Sequence, residues 1–250
     1  MISNAAFGET QVPASPPWKL FGATYAEAVH LNRSDTFAGL LVERVGLQNE
    51  KAGLETYAVV RIGADSRTYL ERSDAVYNDN YLFTGLGVDY TQLLPGLRLS
   101  LQGGYSFDLT DKIKRAGIDY RAGFMTYHEI RWTSRFRNEI YSEGFYIRRY
   151  RDFFAALQLR SFFAAWQNDA DPYKGFEAGP YLNFTGSHDS ADFDYNRFVE
   201  AHYGARIRYQ GPLTLALQAF GVSGHHTDGN SSLPAYTDFR VLLTGYFEFN

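Results

Sequence analysis

Leu97, Leu99, Leu101, Gly103, Tyr105, Phe107 and Leu109 fall on one side of an extended chain. Arg98, Ser100, Gln102, Gly104, Ser106 and Asp108 fall on the other. A strand sends successive side chains to opposite faces, so this stretch predicts a strand with one apolar and one polar face. Val199–Tyr209 repeats the pattern, with Val199, Ala201, Tyr203, Ala205, Ile207 and Tyr209 opposing Glu200, His202, Gly204, Arg206 and Arg208. Near the end, Phe239, Val241, Leu243, Phe247 and Phe249 oppose Arg240, Thr244 and Glu248. A helical stripe would not sort these residues by parity.

Weaker alternation predicts strands at 18–31, 36–47, 54–65, 81–90, 119–128, 136–146, 153–166, 176–185 and 213–222, which brings the number to about twelve, even as in bacterial single-chain barrels. The least regular are the first, where Glu27 sits on the apolar side, and 136–146. The segments run to about eleven residues, long enough to cross a bilayer at the usual tilt, whereas strands of soluble domains are nearer five or six. A soluble sandwich or lipocalin-like barrel would also alternate, but not at this length and number. The predicted fold is therefore all-β: a transmembrane antiparallel up-and-down β-barrel of about twelve strands over 18–250. Met1–Pro17 (MISNAAFGETQVPASPP) is polar and turn-rich and is read as a flexible leader.

With the N-terminus on the periplasmic side, alternate connections should be short turns and the others longer outer loops. Gln48–Gly53, Thr91–Gly96 and Gln210–Pro212 are compact and carry Gly or Pro. Asp65–Asn80, Leu109–Gly117, Gly186–Asp192 and Ser223–Thr237 are the predicted outer loops. Asn32–Asp35 and Gln167–Gly175 break the rule, the first by being tight on the outer side and the second by being long on the inner side.

Composition narrows the class further. Aromatics make up 17% of the 250 residues, yet charged residues reach 21%, and mean hydropathy is −0.33. A membrane barrel combines these, because Tyr and Phe form girdles at both interfaces while the lumen stays polar. There is no cysteine, which excludes disulfides and thiolate metal sites. A net charge of −4 gives no electrostatic basis for binding nucleic acid. The expected location is the bacterial outer membrane, with lipid bilayer and lipopolysaccharide as surroundings.

Candidate chemistry lies on the polar faces. Glu55, Arg61, Asp89, Arg98, Arg121, Arg160, Glu177, Glu200, Arg206, Arg208 and Arg240 are predicted to point inward. So are the aromatics Tyr57, Tyr81, Phe83, Tyr141, Phe154, Phe162, Trp166 and Tyr181. The lumen of about twelve strands is narrower than that of an open porin. Two expectations follow for these side chains: a lattice of paired charges that fills the interior, or a polar path whose Arg and Tyr residues bind an anionic or sugar-like permeant. The permeant-binding set is Arg61, Arg98, Arg121, Arg160, Glu200, Arg206, Arg208, Arg240, Tyr57 and Tyr181. No catalytic residue, metal or cofactor is expected. His225, His226, Asp228 and Ser231 share a Gly-rich loop, which is poor support for a hydrolase needing nucleophile and base on rigid strands. Asn168–Asp171 lacks the ligand number of a calcium loop.

Several segments resemble the C-terminal barrel of the bacteriophage-adsorption protein A and exopolysaccharide-export porin type. They are YNDNY (Tyr77–Tyr81), DYRAGFMTY (Asp119–Tyr127), YIRRYRDFFAALQLR (Tyr146–Arg160), GFEAGPYL (Gly175–Leu182) and YTDFRVLLTGYFEF (Tyr236–Phe249). The resemblance implies an outer-membrane barrel linked to surface-glycan secretion or serving as a phage receptor, with polysaccharide or a periplasmic scaffold as partner. The leading expectation is a passive conduit for a saccharide-like or anionic solute. The rival is a surface-recognition barrel with an occluded lumen, and an outer-membrane lipid hydrolase comes third.

Overall fold

The computed structural model describes residues 18–32, 35–66, 80–110, 115–168, 174–190, 197–227 and 235–249. Its elements are β1 (Lys19–Leu31), β2 (Thr36–Asn49), β3 (Leu54–Asp65), β4 (Tyr81–Tyr90), β5 (Leu97–Asp108), β6 (Gly117–Arg131), β7 (Phe136–Ile147), β8 (Asp152–Phe163), β9 (Trp166–Gln167), β10 (Gly175–Asp189), β11 (Phe198–Gln210), β12 (Leu213–His226) and β13 (Tyr236–Phe249). Each pairs antiparallel with its neighbours, and β13 pairs with β1, from Gly22↔Phe249 to Leu31↔Arg240. That pairing shuts the sheet on itself. Because β9 continues the line of β8, the result is a closed barrel of twelve staves.

Every segment predicted by alternation is a strand, and most extend further than the pattern suggested. β10 runs to Asp189 and β12 to His226, so the wall enters two stretches read as outer loops. Ladder hydrogen bonds, rather than hydrophobicity, carry these strands past the apolar belt. The short connections 50–53, 91–96, 132–135 and 211–212 all lie at one end, the turn end; the opposite end is called the loop end. Two loop-end connections are also tight. Asp35 donates its backbone N–H to Asn32 O (3.2 Å), and Arg151 donates to Arg148 O (2.9 Å), with left-handed φ of 47° and 54° at Asp35 and Arg151. The stretch read as a leader, 1–17, lies outside the described residues.

The apolar parity of nearly every strand faces outward. Leu41, Val60, Leu86, Leu101, Leu157, Leu159, Leu217 and Leu243 are exposed around the middle of the wall. Tyr90, Trp132, Phe163, Trp166, Phe176 and Phe247 ring the turn end, and Phe37, Phe107, Tyr120, Phe153 and Phe239 ring the loop end. An apolar belt between two aromatic girdles is what a closed barrel presents to lipid, and closure leaves no unpaired strand edge in hydrocarbon. The chain is a transmembrane barrel of the bacterial outer membrane. No helix among the described residues is long and apolar enough to cross a membrane.

Two departures from the predicted faces are instructive. The apolar side of β1, carrying Phe21, Tyr25, Glu27 and Val29, faces inward. Its small residues Gly22, Thr24, Ala26 and Ala28 face lipid. Register decides this: Tyr25 pairs with Val42, and Val42 with the inward-facing Arg61, so all three share the interior face. The second departure is Trp166, expected inside and found outside, 54% exposed. Phe162 pairs with Tyr181 and Trp166 with Ala178, so four residues advance on β8–β9 against three on β10. The extra residue is a bulge, and one residue of slip exchanges the two faces. Gly179 permits it, since a Cβ there would lie 1.8 Å from Phe163 O. Pro180, with no N–H to donate, occupies the same gap. Ala164, fully buried, donates its N–H to Arg135 O (2.8 Å), tying the bulge to the neighbouring turn.

Candidate functional site

The interior is organised as two charged lattices, one on each side of the barrel. The first spans β2 to β6. Asp89, almost wholly buried, accepts hydrogen bonds from Tyr57 Oη (2.6 Å), Arg44 Nη1 (2.9 Å) and Arg98 Nη1 (2.9 Å). Arg98 also donates to Glu55 (2.6 Å), and Gln102 Nε2 donates to Tyr57 Oη (3.0 Å). The Tyr57 ring covers Gly87, where a Cβ would come within 2.3 Å of it. Towards the loop end, Phe21, Tyr57, Val59, Tyr81 and Phe83 form a compact apolar cluster. The Arg121 guanidinium sits over Tyr81 and Phe83 at 5.2 and 4.9 Å, a cation–π arrangement that lets a buried cation rest on carbon. Asp119, held by Ser106 Oγ (2.6 Å), lies 3.4 Å from Arg121.

The second lattice spans β7 to β11 and carries an excess of cations. Glu139 lies 3.3 Å from both Arg137 and Arg206, 3.6 Å from Arg160 and 3.9 Å from Arg208. Glu177 accepts from Arg137 Nη1 (2.9 Å) and is also paired with Arg208. Four guanidiniums thus surround two carboxylates. Arg137 stacks over Phe162 at 4.5 Å, and Arg206 lies 5.8 Å from Phe162 and 6.0 Å from Tyr181. At the loop end, Glu200 accepts from Tyr236 Oη (2.6 Å) and from Arg240 (2.6 and 2.9 Å), and His202 Nε2 lies 2.7 Å away.

All ten residues of the predicted permeant-binding set lie on the interior parity of their strands. They do not form one site. Tyr57 and Arg98 meet through Asp89; Arg160, Arg206 and Arg208 gather with Tyr181 around Glu139; Arg61 and Arg121 both approach Tyr81; Glu200 and Arg240 pair at the loop end. Arg121, Arg206 and Arg208 are buried in the lattices. The Arg98 and Arg160 side chains remain 28% exposed, more than those of Arg121, Arg206, Arg208 and Arg240. The Nε atoms of Arg61, Arg121 and Arg206 are buried with no acceptor among the described residues.

Between the lattices, two tyrosine–glutamate pairs face the lumen. Tyr25 donates to Glu27 (2.5 Å) on β1, and Tyr141 donates to Glu143 (2.7 Å) on β7. β1 and β7 stand opposite one another in a barrel of twelve staves. Tyr25 and Tyr141, like Glu27 and Glu143, are close enough across the bore to interact electrostatically. Arg137, Glu139 and Glu143 were missed as site residues in the sequence. Their own signal was Arg137, Glu139, Tyr141 and Glu143 at period two. It was masked because the opposite parity holds Asn138, Ser142 and Gly144 and so is not cleanly apolar.

The candidates for hydrolysis separate. His225 is on the lipid-facing parity of β12 and His226 on the interior parity, beside Tyr236 at 5.1 Å. Asp228 and Ser231 lie outside the described residues. Asn168 Oδ1 accepts from Phe176 N (2.7 Å), and the rest of the Asn168–Asp171 motif likewise lies outside.

No family model matches the chain, and no curated protein matches it. Several solved structures are similar to it in fold. The beta domain of the Bordetella autotransporter Brka is 13% identical with a TM-score of 0.46, covering 92% of this chain and 98% of that one. A bacterial polysaccharide outer membrane secretin is 7% identical with a TM-score of 0.44, covering 92% and 98%. An outer-membrane channel from Pseudomonas putida F1 is 10% identical with a TM-score of 0.42, covering 98% and 100%.

Proposed function

We propose that this chain is a narrow passive channel for anionic or saccharide-like solutes. The supporting observation is the excess of guanidinium groups around Glu139 and Glu177, together with Arg98 and Arg160 reaching into the bore. Arg presents several donors in a fixed fork, which suits carboxylate and phosphate groups and vicinal hydroxyls alike. Tyr25 and Tyr141 place phenol rings and hydroxyls along the same passage, which suits a sugar ring. The resemblance to exopolysaccharide-export porins agrees with this reading and belongs to the same proposal.

The test is single-channel recording in planar bilayers. The proposal expects discrete conductance steps, a reversal potential favouring anions, and current block by an acidic oligosaccharide. Absence of steps from correctly folded protein would sink it.

A second reading is favoured by one observation: Phe83, Phe162, Asp89 and Glu139 are each 3% exposed or less inside the barrel. Such packing suits an occluded lumen and a barrel that serves as a surface receptor through its loop end. Phage or partner binding by a protein that passes no current would decide for it.

A further inference from the structure

Most interior tyrosines belong to the wall: Tyr57, Tyr81 and Tyr181 are each 6% exposed or less. Tyr127 on β6 and Tyr246 on β13 differ. They share the interior parity of their strands yet are 44% and 40% exposed, so their surface is open to the lumen. Each donates its hydroxyl to the glutamate two residues on, Tyr127 to Glu129 (3.3 Å) and Tyr246 to Glu248. That repeats the arrangement of Tyr25 with Glu27 and of Tyr141 with Glu143. Register then groups the four pairs into two sets, because Tyr25 is the direct partner of Tyr246, and Tyr127 of Tyr141.

The strand pairs β13–β1 and β6–β7 stand opposite one another in the barrel of twelve staves. Within each pair the strands run antiparallel, so the two glutamates lie on opposite sides of the two tyrosines. Along the strands, one wall presents Glu27 and Glu248 flanking Tyr25 and Tyr246. The other presents Glu143 and Glu129 flanking Tyr141 and Tyr127. The two walls approach closely enough for Tyr25 to act electrostatically on Tyr141, and Glu27 on Glu143. Each phenol is tethered by a glutamate of its own strand, so the rings are held in place before any solute arrives. An ionised carboxylate offers about four lone-pair positions, and one phenol occupies only one of them. Glu129 is ion-paired with Arg131, and Arg61 and Arg160 act on Glu143. The walls therefore offer carboxylate acceptors whose charge is largely balanced.

We infer that these two walls form a binding track for a neutral saccharide, whose sugar rings lie against the tyrosines while their hydroxyls donate to the flanking glutamates. The inference rests on the channel reading for its setting and names what is recognised there: ring and hydroxyls, independent of any acid group. A pyranose has apolar C–H faces and a rim of hydroxyl donors. Aromatic surface with a few convergent polar groups is the general make-up of a site for such a molecule. Hydroxyl-to-carboxylate hydrogen bonds are stronger than those between neutral groups. A small anion would meet four carboxylates, and a small cation the arginines beside them. An uncharged polyol gains from the acceptors and the rings together.

The test is calorimetric titration of the full chain, refolded in detergent, with cellohexaose as the neutral probe and hexagalacturonate as the acidic one. Folding of every variant is checked by heat-modifiable migration on gels. Saturable binding of cellohexaose is expected, with little change at high salt because no net charge is read. Tyr127→Ala and Tyr246→Ala should each weaken it by about tenfold, whereas Tyr127→Phe and Tyr246→Phe, which keep the ring, should stay within about threefold. Tyr105→Ala, which removes a lipid-facing tyrosine, should change nothing. Binding of hexagalacturonate without binding of cellohexaose overturns the inference, since arginines alone would then do the recognising. So does cellohexaose binding that both alanine variants leave intact, or that the phenylalanine variants weaken as far as alanine does. Planar-bilayer recording separates this inference from the channel reading. Conductance steps without cellohexaose binding defeat the track alone, and ring-dependent binding without steps defeats the channel alone.

Discussion

Arg206 on β11 lies 3.3 Å from Glu139 on β7, reaching past the two staves that separate them in the wall. The two strands are far apart in sequence and never pair, so this contact exists only because the sheet curls shut. It also identifies Glu139 as the centre of the cationic half of the lumen, with Arg137, Arg160 and Arg208 as its other neighbours.

Glu139→Gln removes the charge on which those guanidiniums converge and leaves them facing one another at low dielectric. Breaking one side of a buried ion pair typically costs about 3–5 kcal/mol. Urea unfolding of the variant in lipid vesicles should show a loss of that order. An unchanged midpoint would mean that the arginines are solvated from the bore and do not depend on Glu139.

Tyr57→Phe keeps the ring over Gly87 but deletes the hydroxyl that donates to Asp89 and accepts from Gln102. Two buried polar groups each lose a partner, so a destabilisation of about 1–3 kcal/mol is expected. The apolar cluster with Phe21 and Phe83 should survive. The same unfolding assay measures the loss, and the β-sheet circular dichroism of the folded state should not change.

Arg160→Ala and Arg121→Ala separate path from wall. The Arg160 side chain is 28% exposed, whereas Arg121 is 3% exposed and rests on Tyr81 and Phe83. In bilayers under a salt gradient, Arg160→Ala should move the reversal potential towards cation preference. Arg121→Ala should lower stability and leave the reversal potential within error. Equal shifts for both would remove the distinction.

The bulge at 163–165 makes a prediction about Trp166. In a variant with Trp18→Phe and Trp132→Phe, only Trp166 remains of the three tryptophans. Its fluorescence should be quenched by brominated lipid and not by acrylamide confined to the lumen. Gly179→Val places a side chain against Phe163 O and should abolish the bulge or the fold, seen as failure to migrate as a compact band before heating.

Alternation along Leu97–Leu109 or Val199–Tyr209 could be read directly, because the face on which a strand residue lies is set by its parity and needs no partner. That reading located every strand, including the ill-patterned 136–146. It faltered where parity itself is reset. Nothing in the residues around Ala164 announces an extra position in β8–β9, and the small lipid-facing residues of β1 look like a poor interior rather than a poor exterior. In both places the neighbouring strand decides.

By itself, then, the amino-acid order determined a set of long amphipathic strands and the polar residues on one face of each, since both are local consequences of period two. Which arginine meets which carboxylate was decided only by tertiary structure. Register and closure bring β7 to β11, a relation that depends on distances across the barrel that no local pattern contains.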